Sequence, residues 1–226
     1  MKRLSYVLMA TGLFAVLTLA LGGNGVAAWV SQAQEKPVKV KYVPIPAGDY
    51  KIDAAHSVVG FQIRHNEITW VSGRFKDFVG TVHYDNQDVT KSSVELTAKV
   101  ESIDTGVANR DKHLRTADFF EVEKYPEMTF KSTRVARRGK NGYVLHGDLT
   151  LKGVTKAVAI PFTITGAIVD GRGNTRFGVD GSTTINRRDF GITWGHALAG
   201  GGFDVGNEVT INLQLEVIKP APKPTT

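Results

Sequence analysis

Along most of the chain the hydrophobic positions recur at every second residue. Phe61 and Ile63 alternate with Gln62 and Arg64, and Phe78, Gly80, Val82 and Tyr84 alternate with Val79, Thr81 and His83. Val94, Leu96, Ala98 and Val100 follow the same period, as do Tyr143, Leu145, Gly147, Leu149 and Leu151. So do Val158, Ile160, Phe162 and Ile164, and later Ile211, Leu213, Leu215 and Val217. Side chains on an extended chain point to alternate faces, so each run predicts a strand with one apolar and one wetter face. Turn-forming clusters separate the runs: Asp85-Asn86, Arg138-Gly139-Lys140-Asn141-Gly142 and Gly171-Arg172-Gly173-Asn174; the last two are hairpin connections. No long stretch carries a helical stripe. The best short helix falls over residues 107–116, where Asp111 and Arg115 stand four apart and are expected to pair.

Eight to ten antiparallel strands with one apolar face close into a barrel or stack as a two-sheet sandwich. Periodicity alone leaves both open. The length of several strands favours a barrel, and a barrel of about eight strands can enclose a small ligand. The alternating region defines a domain over 49–218. Before it, residues 34–48 read as a linker with an edge strand at 38–42. After it, three prolines in residues 219–226 describe a tail that cannot sustain a ladder.

Composition narrows the function. A chain of 226 residues suits one substantial domain. It has no cysteine, which removes disulfides, thiolate metal sites, cysteine nucleophiles and lipid-modified cysteine anchors. Met1-Lys2-Arg3 precedes an uncharged, mostly apolar run, followed by small residues at Val26-Ala27-Ala28 and Ser31-Gln32-Ala33. That layout is expected of a secretory signal peptide over 1–33, or of an N-terminal membrane anchor, and places the domain outside the cytoplasmic membrane, in the periplasm or beyond. The net charge of +6 falls to +4 without Lys2 and Arg3, because residues 1–33 contain no acids. The remaining basic residues are scattered, which argues against a nucleic-acid partner. His56, His65 and His83 show no metal-ligand spacing, and no G-x-S-x-G elbow or paired carboxylates can be picked out, so neither a metal nor a catalytic residue is expected.

A series of motifs adds what periodicity cannot. In order they are Tyr50-Lys51-Ile52-Asp53, His56-Ser57, Gly73-Arg74-Phe75, Arg110-Asp111-Lys112-His113-Leu114, Asp118-Phe119-Phe120, Tyr125-Pro126, Gly147-Asp148-Leu149-Thr150, Gly153-Val154-Thr155-Lys156 and Arg188-Asp189-Phe190-Gly191. The series resembles the YceI-like family of bacterial secreted proteins across essentially all of 49–218. The resemblance implies a lipocalin-like antiparallel barrel with an apolar tunnel, and non-covalent binding of a long isoprenoid lipid such as an isoprenoid quinone or a polyprenyl phosphate. It also implies export, proximity to a membrane, a homodimer in some members, and no cofactor beyond the bound lipid. Two other functions stay open: an enzyme acting on a small lipid or quinone, and a stress-response interaction module whose barrel is filled by its own side chains. The glycine-rich stretch 196–202 departs from the family pattern.

On that reading Phe61, Ile63, Phe75, Phe78, Leu96, Phe119, Phe120 and Phe130 are candidates for the tunnel lining, a role that overlaps with ordinary core. Phe119 and Phe120 are adjacent, so in extended chain one would enter the tunnel while the other packs outside. Arg110, Asp111 and His113 are candidates for a head-group station, in which Arg110 and His113 meet a carbonyl or phosphate and Asp111 orients one of them. The competing reading is a polar network that pins the loop closing the barrel.

Overall fold

The computed structural model describes residues 40–222. The signal-peptide or anchor segment 1–33 therefore lies outside the described residues, as do the first part of the linker and residues 223–226 of the tail. No helix among the described residues is long and apolar enough to cross a membrane.

Eleven strands form one antiparallel sheet that closes on itself. They are β1 (Gly48–Ile52), β2 (Val58–His65), β3 (Thr69–Phe75), β4 (Phe78–Tyr84), β5 (Ser93–Lys99) and β6 (Ile103–Asp104), then β7 (Glu127–Arg138), β8 (Gly142–Leu151), β9 (Val154–Val169), β10 (Thr175–Asn186) and β11 (Val205–Lys219). The ring runs β1-β4-β5-β7-β8-β9-β10-β11 and closes where Ile52 pairs with Val217. Among the described residues it is an eight-stranded antiparallel barrel with one α-helix, α1 (Ala108–Leu114).

The three remaining strands extend the first half of the wall. β2 continues along the same edge of β11 as β1, with Val58 opposite Gln214 and His65 opposite Val205. β3 pairs with β2, and β6 with β3. Each of β1–β2, β3–β4 and β5–β6 is thus one long strand broken by a bend, and each bend has a local cause. Asp53 caps the short turn Ala54–His56 by accepting from the Ala55 amide at 3.1 Å. Ser102 Oγ accepts from the Lys76 and Asp77 amides at 3.1 and 3.0 Å, tying the second bend to the third. These side chains take up backbone donors that the ladder loses where it breaks.

The core lies inside the barrel. Tyr50, Phe75, Phe78, Leu96, Phe130, Leu149, Phe177 and Val217 are all buried there. Where two inward chains need the same space, one strand carries glycine. A Cβ on Gly147 would lie 2.6 Å from the Lys131 carbonyl oxygen and against the Phe130 ring.

One end of the barrel is strapped from outside. The segment expected to be a linker packs against it from Val43 onward. The Val43 amide donates to the Ala167 carbonyl at 2.9 Å, and Tyr50 Oη donates to the Pro46 carbonyl at 2.7 Å. Residues 40–42 are not in a strand, so the described part of the expected edge strand is absent. The Tyr42 ring lies on Gly166 instead, a packed contact that needs no ladder. At the other end of the strands sit α1, the turn that follows it, and the loop after β10.

Candidate functional site

The bore holds two cavities that meet. The upper one, about 440 Å³, is bounded by β2, β3, β11, α1 and the loop after β10. The lower one, about 120 Å³, lies deeper, among the inward side chains of β4, β5 and β7–β11. A wider, shallow depression of about 840 Å³ lies on polar outward-facing residues such as Gln62, Asp180 and Asn212. Among the described residues, the bore cavities have the most apolar surroundings.

Phe61, Ile63, Phe75, Phe119 and Phe120 line the upper cavity; Leu96 and Phe130 line the lower. Phe78 is buried in the core but borders neither. Phe119 and Phe120 differ from the extended-chain expectation, since both border the upper cavity. They lie in a turn rather than a strand, where neighbours need not diverge. Phe75 meets Phe120 edge-on at 6.0 Å between ring centroids.

Arg110, Asp111 and His113 do not form one cluster. α1 follows Gly106, whose left-handed φ of 77° turns the chain at the end of β6. Asp111 is buried, and its Oδ1 accepts from both the Thr105 amide at 2.9 Å and the Thr105 hydroxyl at 2.5 Å. Arg110 Nε donates to the same hydroxyl at 2.8 Å, and its Nη2 to the Thr105 carbonyl at 2.9 Å. Asp111 therefore pins the loop, and Arg110 shares that network while also bordering the cavity. The expected Asp111–Arg115 pair does not form. Arg115 instead reaches back to the carbonyls of Glu101 and Ile103, at 2.8 and 3.0 Å. Those carbonyls lie where the strand bends, and Asp111 is already engaged by Thr105. His113 borders the cavity, but its partner is Asp118, with Nε2 and Oδ2 2.8 Å apart.

Sequence reasoning missed two residues at this mouth. Arg187 is only 3% exposed and borders the upper cavity. Its guanidinium donates to the carbonyls of Gly206, Ile192 and Val205 at 2.8, 3.0 and 2.9 Å, and among the described residues it forms no ion pair with a carboxylate. Burial, helped by neighbouring Arg188 and opposed by Asp204, pulls its pKa below the ordinary guanidinium value; arginine remains charged all the same. A signal existed, because Arg187 continues the inward parity of Phe177, Val179, Gly181 and Ile185. Trp194 is the second, stacked edge-on against His113 and tilted against Phe119. It lies in irregular chain, where periodicity has no voice.

The upper cavity thus has apolar walls with Arg64, His65, Arg110, His113 and Arg187 around it, and among the described residues no Asp or Glu lines it. Far from it, Asp53, His56 and Glu216 bring potential metal-ligand atoms within 4.8 Å of one another. Arg176 already occupies that ground. It bonds Asp53 and Asp170 at 2.8 Å each, and Glu216 as well, so a guanidinium supplies the balancing charge.

Residues 50–217 match the model of the YceI-like domain, and the chain belongs to that family. Among curated relatives, a UPF0312 protein of Photorhabdus laumondii is 44% identical over 146 residues, 64% of this chain and 76% of that one. A UPF0312 protein of Vibrio cholerae is 36% identical over 187 residues, 82% of this chain and 87% of the other. Among solved structures, BcnA of Burkholderia cenocepacia superposes with a TM-score of 0.62 at 29% identity, covering 73% of this chain and 98% of its own. A polyisoprenoid binding domain from Saccharophagus degradans, implicated in plant cell wall breakdown, gives a TM-score of 0.56 over 78% of this chain and all of its own. At 17% identity the last shows a shared fold.

Proposed function

We propose that the protein binds the hydrocarbon tail of an isoprenoid lipid non-covalently in the bore, with the lipid's polar head at the mouth near Arg110, His113 and Arg187. One observation carries this reading: an apolar cavity of about 440 Å³ whose charged wall residues, among those described, are cationic or imidazole and not carboxylate. Each buried methylene gains about 0.8 kcal/mol, so a long tail is driven into such a bore. Arginine and histidine suit an oxygen-rich head, whether a quinone carbonyl or a phosphate. The volume lies within the range of small-molecule sites, which disfavours a barrel filled by its own side chains. The polyisoprenoid binding domain with the same fold supports the lipid class.

The protein would serve as a carrier or store in the cell envelope rather than as an enzyme. Export is supported by the sequence layout of the N-terminal segment. Proximity to a membrane is supported by the β2–β3 hairpin beside the mouth. There Ile68 is 81% exposed and Trp70 48% exposed, with the Arg64 guanidinium stacked 4.2 Å from the Trp70 ring; tryptophan is enriched at membrane interfaces.

Titration with a prenol and the matching prenyl phosphate tests the proposal. Wild-type protein is expected to bind both. Arg110→Ala and His113→Ala should weaken the phosphate progressively while leaving the prenol nearly unchanged. Failure of the wild type to bind either compound would overturn the reading.

A further inference from the structure

The two cavities share four wall residues: Val59 of β2, Met128 of β7, Leu149 of β8 and Ile211 of β11. These come from strands around the bore and form a collar between its chambers. Three are branched. Met128 is unbranched, with more rotatable bonds and a polarizable sulfur, so it is the collar member best able to swing aside.

Below the collar the chemistry changes. The upper chamber has cations at its mouth; the lower has none. Of its two hydroxyl side chains, Ser92 already accepts from the Asp85 amide at 3.0 Å, and neither Ser92 nor Tyr84 turns polar surface into the chamber. The lower chamber therefore suits hydrocarbon and offers nothing to a head group.

Its far wall is rigid. Phe177, 3% exposed, and Tyr84 line it with ring centroids 5.6 Å apart. Behind them Tyr50, 1% exposed and outside the lining, meets Phe177 edge-on at 5.0 Å. Tyr50 is held in turn by its hydrogen bond to Pro46 in the outer strap. For Phe177 to yield, a second buried ring layer would have to move, and closely packed interiors resist that.

We propose that the lower chamber selects tail length, with Met128 as a yielding collar and Phe177 with Tyr84 as a fixed floor. This rests on the lipid reading above. A short tail ends in the upper chamber and leaves Met128 in place. A longer one displaces Met128 and advances until its end meets Phe177, after which further isoprene units stay outside.

Native mass spectrometry with a ladder of prenols from farnesol to solanesol tests this. In the wild type, affinity should climb with length, by about fourfold for each additional buried methylene, and then level off. Met128→Trp should bring the levelling point to shorter prenols, and Phe177→Ala should move it to longer ones. Phe177→Leu should shift it less in the same direction and guards against misfolding, with thermal unfolding as the check on all variants. A levelling point unchanged across folded variants overturns the length-selection proposal alone. A wild type that binds no prenol of any length overturns the lipid reading and this inference with it.

Discussion

Trp194 stands edge-on to His113, their ring centroids 4.9 Å apart at 90°. His113 is held on another side by Asp118, and Phe119 packs against both rings. The loop after β10 and the turn after α1 are thereby joined across the mouth. Each such aromatic contact contributes about 0.5–1.5 kcal/mol beyond area burial. Trp194→Ala is expected to weaken prenol binding by up to about tenfold, the equivalent of 1.4 kcal/mol. In a background with both Trp29→Phe and Trp70→Phe, Trp194 emission should shift on prenol addition, and a spectrum unaffected by saturating prenol would contradict its place at the mouth.

Arg110 and Asp111 both bind Thr105 but should separate on substitution. Asp111 is buried, and its removal leaves the Thr105 amide without a partner. Asp111→Ala is therefore expected to cost about 1–3 kcal/mol of stability. Arg110→Ala should cost less stability but weaken binding of an anionic prenyl compound. Paired measurements of denaturant midpoint and prenyl phosphate affinity check the division, and equal stability losses in the two variants would contradict it.

Much of this was legible in the sequence, and the reasons are physical. Strand periodicity reports which side chains share the apolar face, so Leu96, Leu145, Ile160 and Leu213 could be assigned to that face residue by residue, and all four line the bore. It cannot report closure, because a sandwich and a barrel alternate alike; the family resemblance decided that. Side-chain partners were the weaker part. Asp111 and Arg115 have helical spacing, but tertiary carbonyls and Thr105 outcompete that pairing. Phe119 and Phe120 lie in a turn, where alternation does not apply. Trp194 becomes a site residue only through the folding of irregular chain.

Glycine at position 147 is required by the ladder between β7 and β8. A methyl group there would press on the Lys131 carbonyl and the Phe130 ring, which borders the lower cavity. Gly147→Ala should destabilise the barrel by about 1–3 kcal/mol through overpacking. Urea unfolding checks this, and an unchanged midpoint would contradict the packing described.

Arg176 binds three carboxylates at the opposite end of the barrel from the mouth. Its hydrogen bonds are the first cause holding the Asp53 and Asp170 carboxyls below their ordinary value of 3.8. A lowered folded pKa contributes stability above the unfolded pKa and loses it as pH falls through the folded one. Arg176→Gln should thus lower the Tm at neutral pH, by roughly 2–4 °C for a domain of this size. The difference from wild type should shrink as pH falls below the ordinary carboxylate range. Partial exposure means that salt should also reduce it. Scanning calorimetry across acidic pH measures both trends.

The most direct test of a lipid-filled bore is the composition of protein purified from its own host. Native mass spectrometry, followed by organic extraction, should reveal an isoprenoid in stoichiometric amount, released only on unfolding. Protein that is reproducibly free of lipid, and that takes up no prenyl compound when offered one, would contradict the account.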